Sequence, residues 1–176
     1  MFAAKSYAVI SARSGVIDQE MLKHEQRHSY DYFIDEHGDW FCQGNPVLDP
    51  QLFRLLSRSL FEREGRHFIR CEGEVHPVRV ADAPLWIRYV HLHASPQGEL
   101  QRVGIELHDG RKEALAAATL TTSQNHALYC RATPRRLKAR FGKIAYYELT
   151  RHLQMACDGR SFFFLIGGKR YEIRQE

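Results

Sequence analysis

The chain has 176 residues, 44% hydrophobic and 26% charged, a composition that supports a sizeable core and excludes a disordered protein. No apolar run approaches the roughly 18 residues of a membrane span, and Tyr7-Ala8-Val9-Ile10 is too short for the core of a secretory signal, so a cytoplasmic protein is expected. The net charge of +4 and a pI of about 8.9 argue against a nucleic-acid partner, which calls for a more basic and clustered chain.

Residues 1–29 are polar and weakly patterned, with a short helix expected over Asp18–His28. Tyr30–Ile34 and Trp40–Gln43 flank an acidic, Gly-containing turn and read as a hairpin, which Asn45-Pro46 breaks. Asp49 is placed to cap a helix that starts at Pro50, where the missing N–H costs nothing. Its stripe is Leu52, Phe53, Leu56 and Leu60, and Gly65 is expected to end it. His67–Cys71 and Val75–Val80 then form a hairpin around Glu72-Gly73-Glu74.

Ala83-Pro84 reads as a junction. Leu85–Ala94 and Leu100–Leu107 are long strands joined across Ser95-Pro96-Gln97-Gly98, and a looser segment runs from Gly110 to His126. Ala127–Ala132 and Leu137–Phe141 make another hairpin. A helix is expected from Lys143 to Cys157, carrying Tyr146, Leu149, Leu153 and Ala156. Gly167-Gly168 between Phe162–Ile166 and Lys169–Ile173 signals a hairpin in which both turn residues need positive φ. The order hairpin, helix, Gly-Arg, hairpin occurs twice: Gly65-Arg66-His67-Phe68-Ile69 precedes Gly159-Arg160-Ser161-Phe162-Phe163 by 94 residues. The reading is an α+β protein of two repeated hairpin–helix–hairpin lobes with mainly antiparallel sheets. Residues 30–83 form the first lobe and 84–176 the second, larger one.

The chemistry-bearing motifs are few. Cys42, Cys71, Cys130 and Cys157 stand far apart with no C-x-x-C pair, which argues against a zinc ribbon and, in a reducing compartment, for free thiols. His24-Glu25-Gln26-Arg27-His28 matches H-E-x-x-H, a pattern that on a helix can hold zinc beside a general base. Polar residues between its histidines and Lys23 ahead of them favour a solvated helix. His91 and His93 share one strand face, with Glu106 or His108 as a conceivable third ligand; an exposed sheet face is the simpler account. The basic run from Arg131 to Lys143 could receive phosphate or an acidic partner, but its charges alternate with Leu137, Ala139 and Phe141, the pattern of a half-buried strand with a wet outer face. No nucleophile elbow, phosphate loop or dinucleotide fingerprint is present, and no cofactor is implied.

Several segments carry a resemblance. They are Ile34-Asp35 with Gly38-Asp39-Trp40, Gly44-Asn45-Pro46-Val47, Leu52–Leu56, Val80-Ala81-Asp82-Ala83-Pro84-Leu85, and Ala139-Arg140-Phe141 leading to Tyr146-Tyr147-Glu148-Leu149. In order and spacing they resemble the bacterial domain-of-unknown-function family numbered twelve eighty-five. Ala81 stands where that family has the first of two carboxylates, and Thr122–His126 where it has an acidic stretch. The resemblance implies a two-lobed α+β fold with repeats, in bacterial cytoplasmic proteins with a binding or signalling role.

The function expected is therefore a non-enzymatic module that binds a small ligand or a protein partner at the cleft between the lobes. Its first candidate residues are Asp82, Arg79, Trp86, Arg140 and Tyr146. The competing reading is a metal-dependent hydrolase using His24, Glu25 and His28. Oligomeric state is not legible in the chain.

Overall fold

Short strands joined by turns with positive φ dominate the computed structural model, which describes residues 30–71, 73–133 and 135–176. The helix expected over Asp18–His28, and with it the His24-Glu25-x-x-His28 motif, lies outside the described residues.

The first hairpin is β1 (Tyr32–Ile34) and β2 (Trp40–Cys42). Its turn is held by Asp35, whose Oδ1 accepts from the N–H groups of His37 and Asp39, each at 2.9 Å. Asn45-Pro46 does not break this unit but adds β3 (Asn45–Pro46), pairing Phe41 with Pro46 across the positive-φ residues Gln43 and Gly44. Proline is tolerated because β3 is a sheet edge, where an N–H has no strand to meet.

Helix α1 (Pro50–Ser59) starts as expected, with Asp49 Oδ1 accepting from the N–H groups of Gln51 at 2.7 Å and Leu52 at 2.8 Å. It ends earlier than expected. Leu60 is already extended (ψ 135°), and β4 (Phe61–Arg63) follows. Glu64 and Gly65 both have positive φ (53° and 75°) and form the turn into β5 (Arg66–Cys71), so Gly65 serves a hairpin rather than a helix end. Leu60 is 1% exposed, buried as periodicity demands, but from an extended backbone. β6 (Glu74–Val80) completes the meander and returns parallel to β1, giving a six-stranded sheet in the order β3-β2-β1-β6-β5-β4.

Beyond Ala83-Pro84, β7 (Leu85–Ala94) and β8 (Leu100–Leu107) have the expected bounds. The segment expected to be loose contains β9 (Lys112–Ala114), a 3-10 turn over Ala117–Thr119 and β10 (Thr121–Thr122). β11 (Leu128–Ala132) and β12 (Leu137–Phe141) form the expected hairpin, and β12 lies parallel to β7. Helix α2 (Lys143–Thr150) is again shorter than its apolar spacing suggests. Leu153 belongs to β13 (Leu153–Met155), which pairs with β14 (Phe162–Ile166). β15 (Lys169–Glu172) follows the Gly167-Gly168 turn, and β16 (Arg174–Gln175) joins β10 in parallel. The second sheet has seven strands in the order β16-β10-β11-β12-β7-β8-β9, and the third is β13-β14-β15.

The protein is thus α+β, mostly strand, with two helices among the described residues and mainly antiparallel sheets. Hairpin, helix and three-stranded meander follow one another in each half. They close differently: β6 returns to β1, whereas β15 stays in its own sheet. One contiguous core runs through both halves, from Ile34, Trp40 and Leu56 to Ile87, Leu149 and Phe164. No helix among the described residues is long and apolar enough to cross a membrane.

Candidate functional site

Two structures meet where the halves join: a closed polar network and an open cavity. The network follows from one register. β7 and β12 pair Leu85 with Ala139, Trp86 with Arg140 and Ile87 with Phe141. Arg140 and Trp86 are therefore side by side, and the guanidinium lies over the indole, 4.9 Å from the ring centroid. The same guanidinium donates from Nη1 to Asp82 Oδ2 at 2.7 Å, while Tyr129 Oη donates to Asp82 Oδ1 at 2.9 Å. Burial, and then the bond to Asp82, raise the proton affinity of the Tyr129 phenol. Lys138 Nζ sits 3.9 Å from the Tyr129 ring centroid and pairs with Glu176 at 2.7 Å, extending the network to the last residue. Both oxygens of Asp82 are thus engaged within the fold, and the pair braces β7, β11 and β12 against the junction.

The cavity, of about 430 Å³, is lined by Trp86 but by neither Asp82 nor Arg140. The first half supplies the turn His37–Asp39, then Leu48, Phe53 and Arg54 around the start of α1. The second half supplies Trp86, Arg88 and His108. Gly38 is buried against the indole, and no residue with a Cβ fits: one added there would be 2.3 Å from Trp86 Cδ1, at a φ of +86°. The Trp86 Nε1–H is buried and makes no hydrogen bond among the described residues.

His108 fixes the floor. Its own N–H donates to the Trp86 carbonyl at 2.8 Å, and the Trp86 N–H donates to Nδ1 at 2.7 Å. The Trp86 carbonyl also lies 3.1 Å from Nδ1, but the shorter contact requires a lone pair on Nδ1. The proton is therefore on Nε2, which donates to Ser57 Oγ at 3.3 Å. Burial pushes the His108 pKa down to about 4, with Arg111 and Arg88 adding to the effect, so the ring is neutral. A serine beside a histidine invites a nucleophile–base reading. The tautomer opposes it: Nε2 already carries a proton, no carboxylate orients Nδ1, and Ser57 is 1% exposed.

Of the five residues singled out in sequence, the fold brings Asp82, Arg140 and Trp86 together. Only Trp86 lines the cavity. Arg79 lies outside both structures, paired with Asp31 at 2.8 Å and placed over the Phe33 ring. Tyr146 packs from α2 against the core and meets Tyr147 edge-on. Sequence reasoning missed Gly38, Phe53, Arg54, Arg88 and His108 as one site. Gly38-Asp39-Trp40 is one of the family-like segments, but nothing local in the sequence ties it to Trp86.

The other candidates are absorbed by pairing. His91 Nε2 and Lys112 Nζ each lie 3.3 Å from Glu106 Oε2, and His108 is at the junction, not beside His91. Among the described residues no three histidine, cysteine or acidic side chains converge as a metal site. In the basic run, Leu137, Ala139 and Phe141 are buried as expected, Arg131 faces Glu62 at 3.7 Å, and Arg135 donates to the Leu60 carbonyl.

This architecture is found in solved structures. A DUF1285 family protein from Silicibacter pomeroyi superposes with a TM-score of 0.68 at 21% identity, over 82% of this chain and 79% of that one. A DUF1285 family protein from Shewanella baltica does so with a TM-score of 0.57 at 21% identity, over 68% of this chain and 90% of the other. The chain therefore has the fold of these two bacterial DUF1285 family proteins, in agreement with the resemblance read from its motifs. No family model and no curated protein matches it.

Proposed function

We propose that the chain is a bacterial cytoplasmic member of the DUF1285 family and a non-enzymatic binding module, with signalling as its use, whose ligand occupies the cavity between residues 30–83 and 84–176. We read these as two lobes of repeated design, joined at Ala83-Pro84. The observation that carries the reading is the Gly38–Trp86 contact. It builds one wall of the cavity from both halves, so an occupant would bridge them. The neutral tautomer of His108 and the internal pairing of Asp82 support binding over catalysis, because neither is free to move a proton. In this account Asp82 and Arg140 position Trp86 rather than touch the ligand, and Arg79 and Tyr146 lie outside the site.

Native mass spectrometry on gently purified protein tests the proposal. An organic adduct retained by the native chain and lost in Trp86→Ala supports it. A zinc-sized adduct lost in His24→Ala would replace it with a metal-dependent hydrolase.

A further inference from the structure

We propose that the occupant of this cavity is a small organic anion, its carboxylate or phosphate held by Arg54 and Arg88 and its apolar body laid against Phe53 and Trp86. The inference rests on the binding reading above and names the class of ligand. Most arginines around the junction are committed. Arg140 is paired with Asp82 and Arg111 with Asp109, each at 2.7 Å, and Arg58 donates to the Asp109 carbonyl at 3.3 Å. Arg54 and Arg88 are different. Both line the cavity, and among the described residues neither meets a carboxylate; Arg88 only leans toward the Tyr89 ring.

Two uncommitted guanidiniums in one concavity are a receptor for a planar or tetrahedral oxyanion, which each can grip through paired N–H groups. The positive charge of Arg88 reaches the cavity lining at His108, whose proton affinity it lowers after burial and Arg111. Among the described residues Asp39 is the one carboxylate in the lining, and it disfavours a second anionic group on the ligand. Phe53 and Trp86 supply aromatic surface for an apolar body. A volume of about 430 Å³ is in the range of small-molecule sites.

The test follows the Trp86 indole N–H resonance of the full chain, assigned with Trp86→Phe, during titration with benzoate, phenyl phosphate and uncharged benzyl alcohol. Saturable shifts are expected with the anions only. Binding should weaken about tenfold or more in Arg54→Gln and in Arg88→Gln, and Arg54→Lys should recover part of it. Both arginines are exposed, so the variants should fold, and circular dichroism verifies it. The tighter of the two anions identifies the head group. Benzyl alcohol binding as tightly as the anions, or anion binding indifferent to both arginine variants, would overturn the anion and leave the cavity as a site. No saturable shift from any of the three would remove both.

Discussion

Gly38 and Trp86, 48 positions apart, are in such close contact that a Cβ on Gly38 would lie 2.3 Å from Trp86 Cδ1 and 2.6 Å from Nε1. Arg140 covers the indole at 4.9 Å, so Trp86 is held between a backbone from one half and a side chain from the other. Gly38→Ala therefore carries two penalties, an L-residue at positive φ and a displaced indole. Together they should destabilise the protein by about 2–4 kcal/mol in urea unfolding. In the Gly38→Ala, Trp86→Ala double variant the clash disappears, so the two costs should be clearly sub-additive. Simple additivity would show that the indole moves freely.

Asp82 and Arg140 form a mostly buried pair, their side chains 20% and 27% exposed. Asp82→Asn leaves a partly desolvated guanidinium short of its counter-charge and should cost about 1–3 kcal/mol. A double-mutant cycle with Arg140→Gln should return a coupling of about 1–2 kcal/mol, whereas an exposed pair such as Arg170–Glu172 should return close to none.

His108 links stability to pH. Its pKa in the folded protein is about 4, below the ordinary value near 6.5, so the unfolded chain binds more protons between those limits. Its contribution is complete above about pH 6.5 and is lost as the pH falls toward about 4. Carboxylates titrate in the lower part of this window, so the comparison with a variant is what isolates the histidine. His108→Gln, whose side-chain oxygen can still accept from the Trp86 N–H, should flatten the stability profile by up to about 1.4 kcal/mol per pH unit. Parallel profiles would mean that the ring is not buried neutral.

Glu64 occupies a positive-φ position (53°) in a turn whose next residue is Gly65, a geometry that favours Asn-Gly. Its ion pair with Arg63, at 3.9 Å between exposed side chains, contributes little. Glu64→Asn should therefore stabilise the protein by about 0.5–1 kcal/mol and raise the thermal midpoint by about 2 °C. A lower midpoint would place the helix end, rather than the hairpin, at Gly65.

Elements whose information is local are legible in the residues themselves. Gly167-Gly168, Asp49-Pro50 and the turn before Gly98 specify their structures through φ, capping and hydrogen bonds within a few residues, and each stands where those rules place it. Periodicity was less decisive. The spacing of Leu56 and Leu60, and of Leu149 and Leu153, continues a helical stripe, yet both helices end before the second leucine because the following residues find strand partners. The parallel pairings of β1 with β6 and of β7 with β12 join segments far apart in the chain, and no local signal specifies them. Register, not composition, set Arg140 over Trp86 and Gly38 against it. The cavity belongs to this second category, since Arg54 and Arg88 converge through packing between segments whose short-range preferences contain no record of one another.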